Sequence, residues 1–156
     1  MEIIPLTKDY TIARADEILA LEHNWKEIGD DVWTIDNLLY ELPMKWELSH
    51  AALYEGRIAG YQIGSLRQGN AFLNKIVVDK ETRGLGVGKK LLRSFLEKCS
   101  EKNLKRVRFR VRTDNPAISF YDKLGFRKIS EIDYGRADGL PSYFYDSLIE
   151  EIIQNV

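Results

Sequence analysis

The sequence predicts a single α/β domain, a mixed central sheet with an antiparallel meander and flanking helices. Three observations lead to that reading. The chain has 156 residues, about one domain at ~150 residues each, and no repeat, low-complexity tract or linker divides residues 1–156. Two glycine turns, Glu55-Gly56 and Gln68-Gly69-Asn70, separate three runs of strand-like residues. An amphipathic helix starting at Val87 is followed by a strictly alternating strand at residues 106–112.

Taken in order, residues 1–6 form a short edge strand, because Pro5 lacks the amide proton that a central strand uses. Ile12, Ala15, Ile18, Leu19, Leu21, Trp25 and Ile28 recur at a three-to-four spacing, which predicts one helix over residues 12–28, ended by Gly29-Asp30-Asp31. Thr34 is the N-cap of a second helix that carries Ile35, Leu38, Leu39 and Leu42 and stops before Pro43. Residues 51–54, 58–66 and 71–78 are the strands of the meander. In the helix that follows, Leu91, Leu92, Phe95, Leu96 and Cys99 share one face, while Lys89, Lys90, Arg93, Glu97 and Lys98 fill the other. Residues 106–112 place Val107, Phe109 and Val111 on one side and four arginines on the other. Asn115-Pro116 opens and Gly125 closes a ten-residue helix. Strands near residues 127–132 and 143–149 flank a polar loop with Gly135, Gly139 and Pro141.

Composition narrows the function classes. Hydrophobic residues at 44% and charged residues at 30% describe a globular chain. Lys and Arg total 23 against 24 Asp and Glu, a net charge of −1, which excludes the global basic excess of a nonspecific nucleic-acid or membrane-surface binder; any anion site is local. Cys99 is the single cysteine, so neither an intramolecular disulfide nor a Cys-pair zinc site is available, and no metal is expected. No stretch approaches the ~18 uninterrupted apolar residues of a membrane span. The chain reads as cytoplasmic.

The most informative stretch is a strand, a basic loop and a helix over residues 76–92. Glycines at 84, 86 and 88 let backbone amides approach a ligand, and the start of the helix offers unpaired N–H groups and a positive dipole end. Lys80, Arg83, Lys89, Lys90 and Arg93 stand against one acid, Glu81. That combination fits a pyrophosphate, and an ordinary flexible turn before an amphipathic helix is the plain alternative. Two phosphate motifs fail here. A Walker loop needs Gly at 83, where Arg stands, and Ser or Thr after Lys89, where Lys90 stands; a dinucleotide fingerprint needs Gly at 89. A nucleotide-binding module is thereby disfavoured.

Arg83-x-x-Gly86-x-Gly88 between a strand and a helix resembles the acyl-CoA loop of the GNAT superfamily of N-acetyltransferases. Asn115-Pro-Ala-Ile-Ser-Phe-Tyr-Asp-Lys-Leu-Gly-Phe126 resembles that family's next motif, and the order of elements is similar along essentially the whole chain. The resemblance implies splayed central strands, 71–78 and 106–112, with the pantetheine arm of acetyl-CoA inserted between them. Backbone groups near Ile76, Val77 and Val78 would pair with the arm, an amide there polarising the thioester carbonyl. Arg83, Gly84, Gly86, Val87, Gly88 and Lys89 would hold the pyrophosphate, and Asn115 would bond the arm from the other side, although a plain helix cap explains Asn115 equally well.

By the same resemblance Tyr121 protonates the leaving thiolate; an amphipathic core tyrosine is the alternative. An ordinary phenol near ~10 is protonated at neutral pH and a thiol near ~8.5 leaves readily, so such a tyrosine assists the rate without deciding it. Many members carry a Glu on the strand before the glycine loop, but Leu73-Asn74-Lys75-Ile76 contains none. Glu22 is the first substitute base, acting through a water, because its helix borders the acceptor entrance in the family; a solvated surface glutamate is the plain reading. His50, Asp79 and Glu81 are the others.

The expected acceptor is a primary amine, either a protein N-terminus or a small amine, and the chain is also loosely similar to the branch that acetylates protein N-termini. Of the arginine-faced strand, Arg108 or Arg110 would line the acceptor cleft and select a carboxylate-bearing substrate, with Tyr134, Tyr143 and Tyr145 as an aromatic wall; a face neutralised by Asp and Glu is the alternative. Cys99, on an apolar helix face, suits a buried thiol, which favours direct transfer in a ternary complex. The rival from another class is a non-catalytic acyl-CoA-binding or regulatory domain on the same fold. The sequence permits a homodimer.

Overall fold

The computed structural model describes residues 1–23 and 32–156. Six strands form one sheet in chain order: β1 (Glu2–Pro5), β2 (His50–Tyr54), β3 (Arg57–Arg67), β4 (Asn70–Val78), β5 (Arg106–Arg112) and β6 (Ser142–Leu148). β1 to β4 are an antiparallel meander, β5 joins β4 in parallel, and β6 runs antiparallel to β5. Among the described residues three short helices, α1 (Lys8–Ala13), α2 (Ala15–Ala20) and α3 (Ile35–Leu39), lie between β1 and β2; α4 (Val87–Glu101) is the β4–β5 crossover; α5 (Ala117–Lys123) and α6 (Ile149–Ile152) follow β5 and β6. Among the described residues no helix is long and apolar enough to cross a membrane.

The sheet separates two cores. On one side Leu92, Phe95, Leu96 and Cys99 of α4 pack with Ala71 and Leu73 of β4, Val107, Phe109 and Val111 of β5, and Tyr121 of α5. On the other, Ala15 and Ile18 of α2 and Leu38 of α3 pack with Tyr61 and Ile63 of β3 and with Val77. Six side chains of α4 are buried, each stabilising the fold by roughly 1.5–3 kcal/mol. The close seating of α4 depends on Gly64 of β3, where a Cβ would overlap the Phe95 ring and lie 2.8 Å from the Leu48 carbonyl oxygen.

Four expectations need correction. The helix over residues 12–28 is instead α1 and α2, broken at Arg14, whose φ of −114° and ψ of 18° leave the helical region. Its inward face passes through Thr11, Ala15 and Ile18, while Ile12 is 51% exposed. Thr11 is tolerated inside because its hydroxyl donates to the Thr7 carbonyl at 2.8 Å, so a polar residue occupies a core position that hydropathy assigns elsewhere. Trp25, Ile28 and the Gly29-Asp30-Asp31 stop lie outside the described residues. Residues 127–132 form no strand; an isolated bridge at Lys128↔Tyr145 and a hydrogen bond from the Arg127 amide to the Ser147 hydroxyl at 2.9 Å tie the segment to β6, and a second bridge, Asp133↔Ser142, follows it. With both Ile129 and Ile132 exposed it has no face to bury. The C-terminal strand ends at Leu148, and Ile149 opens α6. Finally, α5 is seven residues, shorter than the ten expected, because Asn115 and Pro116 stand before it. Thr34 does cap α3, in a reciprocal box with Asn37.

Candidate functional site

The site follows from one irregularity in β4. Opposite β3 the register slips between Ile63 and Gly64, which pair with Lys75 and Leu73, so Asn74 is an extra residue on β4. Its side chain accepts a hydrogen bond from the Ser65 hydroxyl at 2.7 Å. A bulge of this kind bends the strand, and β4 keeps only two parallel pairs with β5, Ala71↔Val107 and Phe72↔Arg108. Beyond them the strands part around a cavity of about 840 Å³, lined by Leu73, Asn74, Lys75, Ile76, Val77 and Val78 on one side and by Phe109, Arg110, Val111 and Arg112 on the other.

The bulge also reverses which face each β4 residue takes. Ala71 and Leu73 pack into the α4 core, whereas Val77 packs into the α2 core and Ile76 and Val78 pack beside Val87 and Leu91. Strict alternation would have sent Lys75 to the α4 core with Leu73. The extra residue sends it toward α2 instead.

At one end of the cavity lies the glycine loop. Thr82 is buried and its hydroxyl donates to the Asp79 carbonyl at 3.1 Å, pinning the loop. Gly84 and Gly86 have φ of 84° and 77°, a region that favours glycine, and Gly86 is the N-cap of α4 with no side chain in the capping position. No acidic residue occupies the first turn of α4. Arg83, Gly84, Gly86, Val87, Gly88 and Lys89 all line the cavity. A Cβ at residue 88 would stand 3.4 Å from the Phe120 ring, close to the contact limit. A long ligand with an anionic head therefore fits this chain: amide donors and two cations at the loop, then a slot between parted strands.

From α5 the cavity receives Asn115, Phe120 and Tyr121. The Asn115 Oδ1 accepts from the Ala117 amide at 2.8 Å, so the side chain serves as helix cap while lining the cavity. Tyr121 is 5% exposed and its ring lies 4.7 Å from Phe109 and 5.8 Å from Phe126, a packing that fixes where the phenol stands.

The α2 side supplies Glu22, Trp33 and Lys75, with Arg110, Arg112 and Arg136 on the same cavity. Glu22, far from a solvated surface residue, is 2% exposed; Tyr61 donates to its Oε1, and its Oε2 receives Lys75 Nζ at 3.0 Å and the Trp33 amide at 3.2 Å. The arginine face is neutralised: Arg106 and Arg108 share Asp146 at 2.8 and 3.3 Å, Arg110 pairs with Asp133 at 2.9 Å, and Arg112 with Asp114 at 2.8 Å. Of these Arg110 and Arg112 line the cavity while Arg108 does not.

The aromatic wall is absent from the lining. Tyr134 is 66% exposed, Tyr145 is buried on Phe109 with its hydroxyl donating to Asp122, and Tyr143 lies under Lys128. His50 is buried against Gln62 at 3.0 Å, and burial holds its imidazole below the ordinary value. Asp79 and Glu81 line a separate recess of about 300 Å³ with Glu17 and Arg57. Cys99 is fully buried in the α4 core, its thiol pushed up to about 12 by burial. Lys75, Tyr61, Trp33 and Arg136 carry no motif. The sequence signal that could have found them is the lysine in an apolar strand, which needs a counter-ion.

The profile of the acetyltransferase (GNAT) family matches residues 13–126. The chain belongs to the GNAT family. Among curated relatives it is 30% identical over 103 residues to an N-alpha-acetyltransferase of Sulfurisphaera tokodaii, covering 57% of this chain and 62% of that protein. It is 28% identical over 91 residues to a spermine/spermidine N(1)-acetyltransferase of Bacillus subtilis, covering 52% and 60%. Across the curated relatives it matches, the chain spans between 51% and 64% of their length. The crystal structure of Ard1 from Thermoplasma volcanium superposes with a TM-score of 0.75 at 26% identity, over 94% of this chain and 96% of that one. The GNAT fold therefore extends over nearly all of this chain.

Proposed function

We propose that this GNAT domain transfers acetyl from acetyl-CoA directly to a primary amine, a protein N-terminal amine or a small amine, within a ternary complex. The observation that carries the reading is that one cavity collects the α4 anion cradle, the parted edges of β4 and β5, Tyr121 and a buried carboxylate, Glu22. Acetyl-CoA, when bound, supplies an acetyl thioester whose sulfur can leave.

The residues of the chain do the rest. The α4 amides with Arg83 and Lys89 bind the pyrophosphate, and Asn115 bonds the arm. Backbone amides near Ile76 and Val78 draw charge from the thioester carbonyl. Glu22 accepts a proton from the acceptor nitrogen, through a water. The nitrogen then forms the C–N bond as the C–S bond breaks, its second proton leaving to solvent, and Tyr121 gives the sulfur its proton and is recharged from solvent. The balance is one amide, one thiol and the proton lost by the ammonium. A buried Cys99 pushed up to about 12 supports transfer without a covalent enzyme intermediate.

An α-amine suits this site better than lysine. Deprotonating a lysine at pH 7 costs about 4.6 kcal/mol, against about 1–1.4 kcal/mol for an α-amine near ~7.7–8.0. Arg110 lines the cavity with its guanidinium paired to Asp133 at 2.9 Å, so a carboxylate on the acceptor would share it with that aspartate. A thiol-release assay with acetyl-CoA against peptide N-termini, lysine peptides, polyamines and amino acids is the test. The expected order places peptide N-termini first. Saturable CoA binding without amine-dependent release would replace the reading with a non-catalytic acyl-CoA-binding domain.

A further inference from the structure

Glu22 is the one carboxylate among the described residues lining the cavity, and it is held by donors from three segments that are distant in sequence. Tyr61 reaches it from β3, Lys75 Nζ from β4 at 3.0 Å, and the Trp33 amide from the segment before α3 at 3.2 Å. The Trp33 ring lies 5.4 Å from the Lys75 ammonium, closing the pair on another side. Lys75 reaches this face only because Asn74 is extra in β4.

We propose that Lys75, together with Tyr61, is a positioning residue that holds the Glu22 carboxylate on the cavity wall in the orientation from which it takes the acceptor's proton. The inference rests on the assignment of Glu22 as base under Proposed function. A carboxylate at 2% exposure needs donors on both oxygens, and Tyr61 supplies one to Oε1 while Lys75 and the Trp33 amide supply Oε2; removing the ammonium would leave the buried group short of a partner and free to turn. Tyr61 cannot compete as the base. Its phenol is pushed well above the ordinary value by burial first and by Glu22 second, so it stays a donor.

The other charged groups do not substitute for Lys75. Glu17, on α2 before Glu22, is bound to Arg14 and to the Ile58 amide. Arg110 and Arg136, on the same cavity, have Asp133 and Asp138 as ion-pair partners. His23, the next residue after Glu22, is exposed. From the sheet, Tyr61 and Lys75 are the groups in contact.

The test is the acceptor kcat and KM at saturating acetyl-CoA in the wild-type protein, Lys75→Met, Lys75→Arg, Tyr61→Phe and Glu22→Gln. Lys75→Met is expected to lower kcat roughly tenfold with the acceptor KM little changed, Lys75→Arg to recover most of that loss, and Tyr61→Phe to lose less. An unchanged acetyl-CoA KM certifies the fold of each variant. A Lys75→Met protein with wild-type kcat, or a loss that Lys75→Arg does not recover, overturns the proposal. If Lys75→Met does not fold, a wild-type kcat in Tyr61→Phe does the same. A fully active Glu22→Gln instead refutes the base assignment itself, whereas an impaired Glu22→Gln beside a fully active Lys75→Met removes only the role of Lys75.

Discussion

On the carrier side of the cleft, Gly84, Gly86 and the first turn of α4 present backbone amides, and residues 73–78 present a strand edge. On the proposed acceptor side, Glu22, Tyr61, Lys75 and Arg110 come from four separate segments and present side-chain heads, Glu22 held by Tyr61 and Lys75 and Arg110 by Asp133. A backbone cradle is written in consecutive residues, because glycine takes a positive φ at least cost and a helix start exposes amides. A side-chain cluster is written nowhere locally. The carrier side can therefore be shared by proteins with different acceptors, and the acceptor side is where they diverge. The two curated relatives described above, one an N-alpha-acetyltransferase and one a spermine/spermidine N(1)-acetyltransferase, match this chain at similar identity.

The division can be broken by kinetics that separate the two substrates. Glu22→Gln is expected to lower kcat by about 100-fold with the acetyl-CoA KM unchanged, in the range for a lost acid–base group; a rise in acetyl-CoA KM of the same size would dissolve the distinction. Gly86→Val forces a β-branched side chain to a φ of 77° and should raise the acetyl-CoA KM roughly tenfold or more, from ~1–2 kcal/mol of strain, with the acceptor KM little altered in the same initial-rate series. Tyr121→Phe keeps the ring packing on Phe109 and loses the proton donor, for an expected kcat decrease of about tenfold, measured at saturation in both substrates. Arg110→Glu should raise the acceptor KM several-fold for carboxylate-bearing amines and leave acetyl-CoA KM nearly constant; equal effects on both would remove Arg110 from the acceptor side. Smallest is Cys99→Ala, which belongs to neither side: turnover stays at the wild-type level while thermal unfolding shows a loss of about 1–2 kcal/mol from the vacated core volume.

What the sequence discloses follows the same line. Helix α4 and strand β5 are legible because their apolar residues keep one period from end to end, and the glycine loop because its spacing has few other uses. Glu22 reads as a surface residue, since nothing nearby in the chain announces Tyr61 or Lys75. Lys75 looks incompatible with a buried strand until Asn74 is counted as extra, and a single inserted residue leaves no trace in composition. Residues 127–132 carry apolar side chains only at Ile129 and Ile132, an odd spacing that gives neither strand face a run to bury, and the ladder does not form. Thr11 shows the reverse case, a polar residue made internal by a bond to its own helix.

The two-pair junction between β4 and β5 has a mechanical consequence. Strands β1 to β4, which hold the N-terminus, and β5 with β6, which lead to the C-terminus, are two plates riveted at one corner, with α4 lying across the seam. That corner is the shortest strand pairing in the sheet. A molecule lodged in the gap acts as a splint: it adds resistance where the sheet has least, and it ties the rigidity of the whole protein to the occupancy of its own cleft.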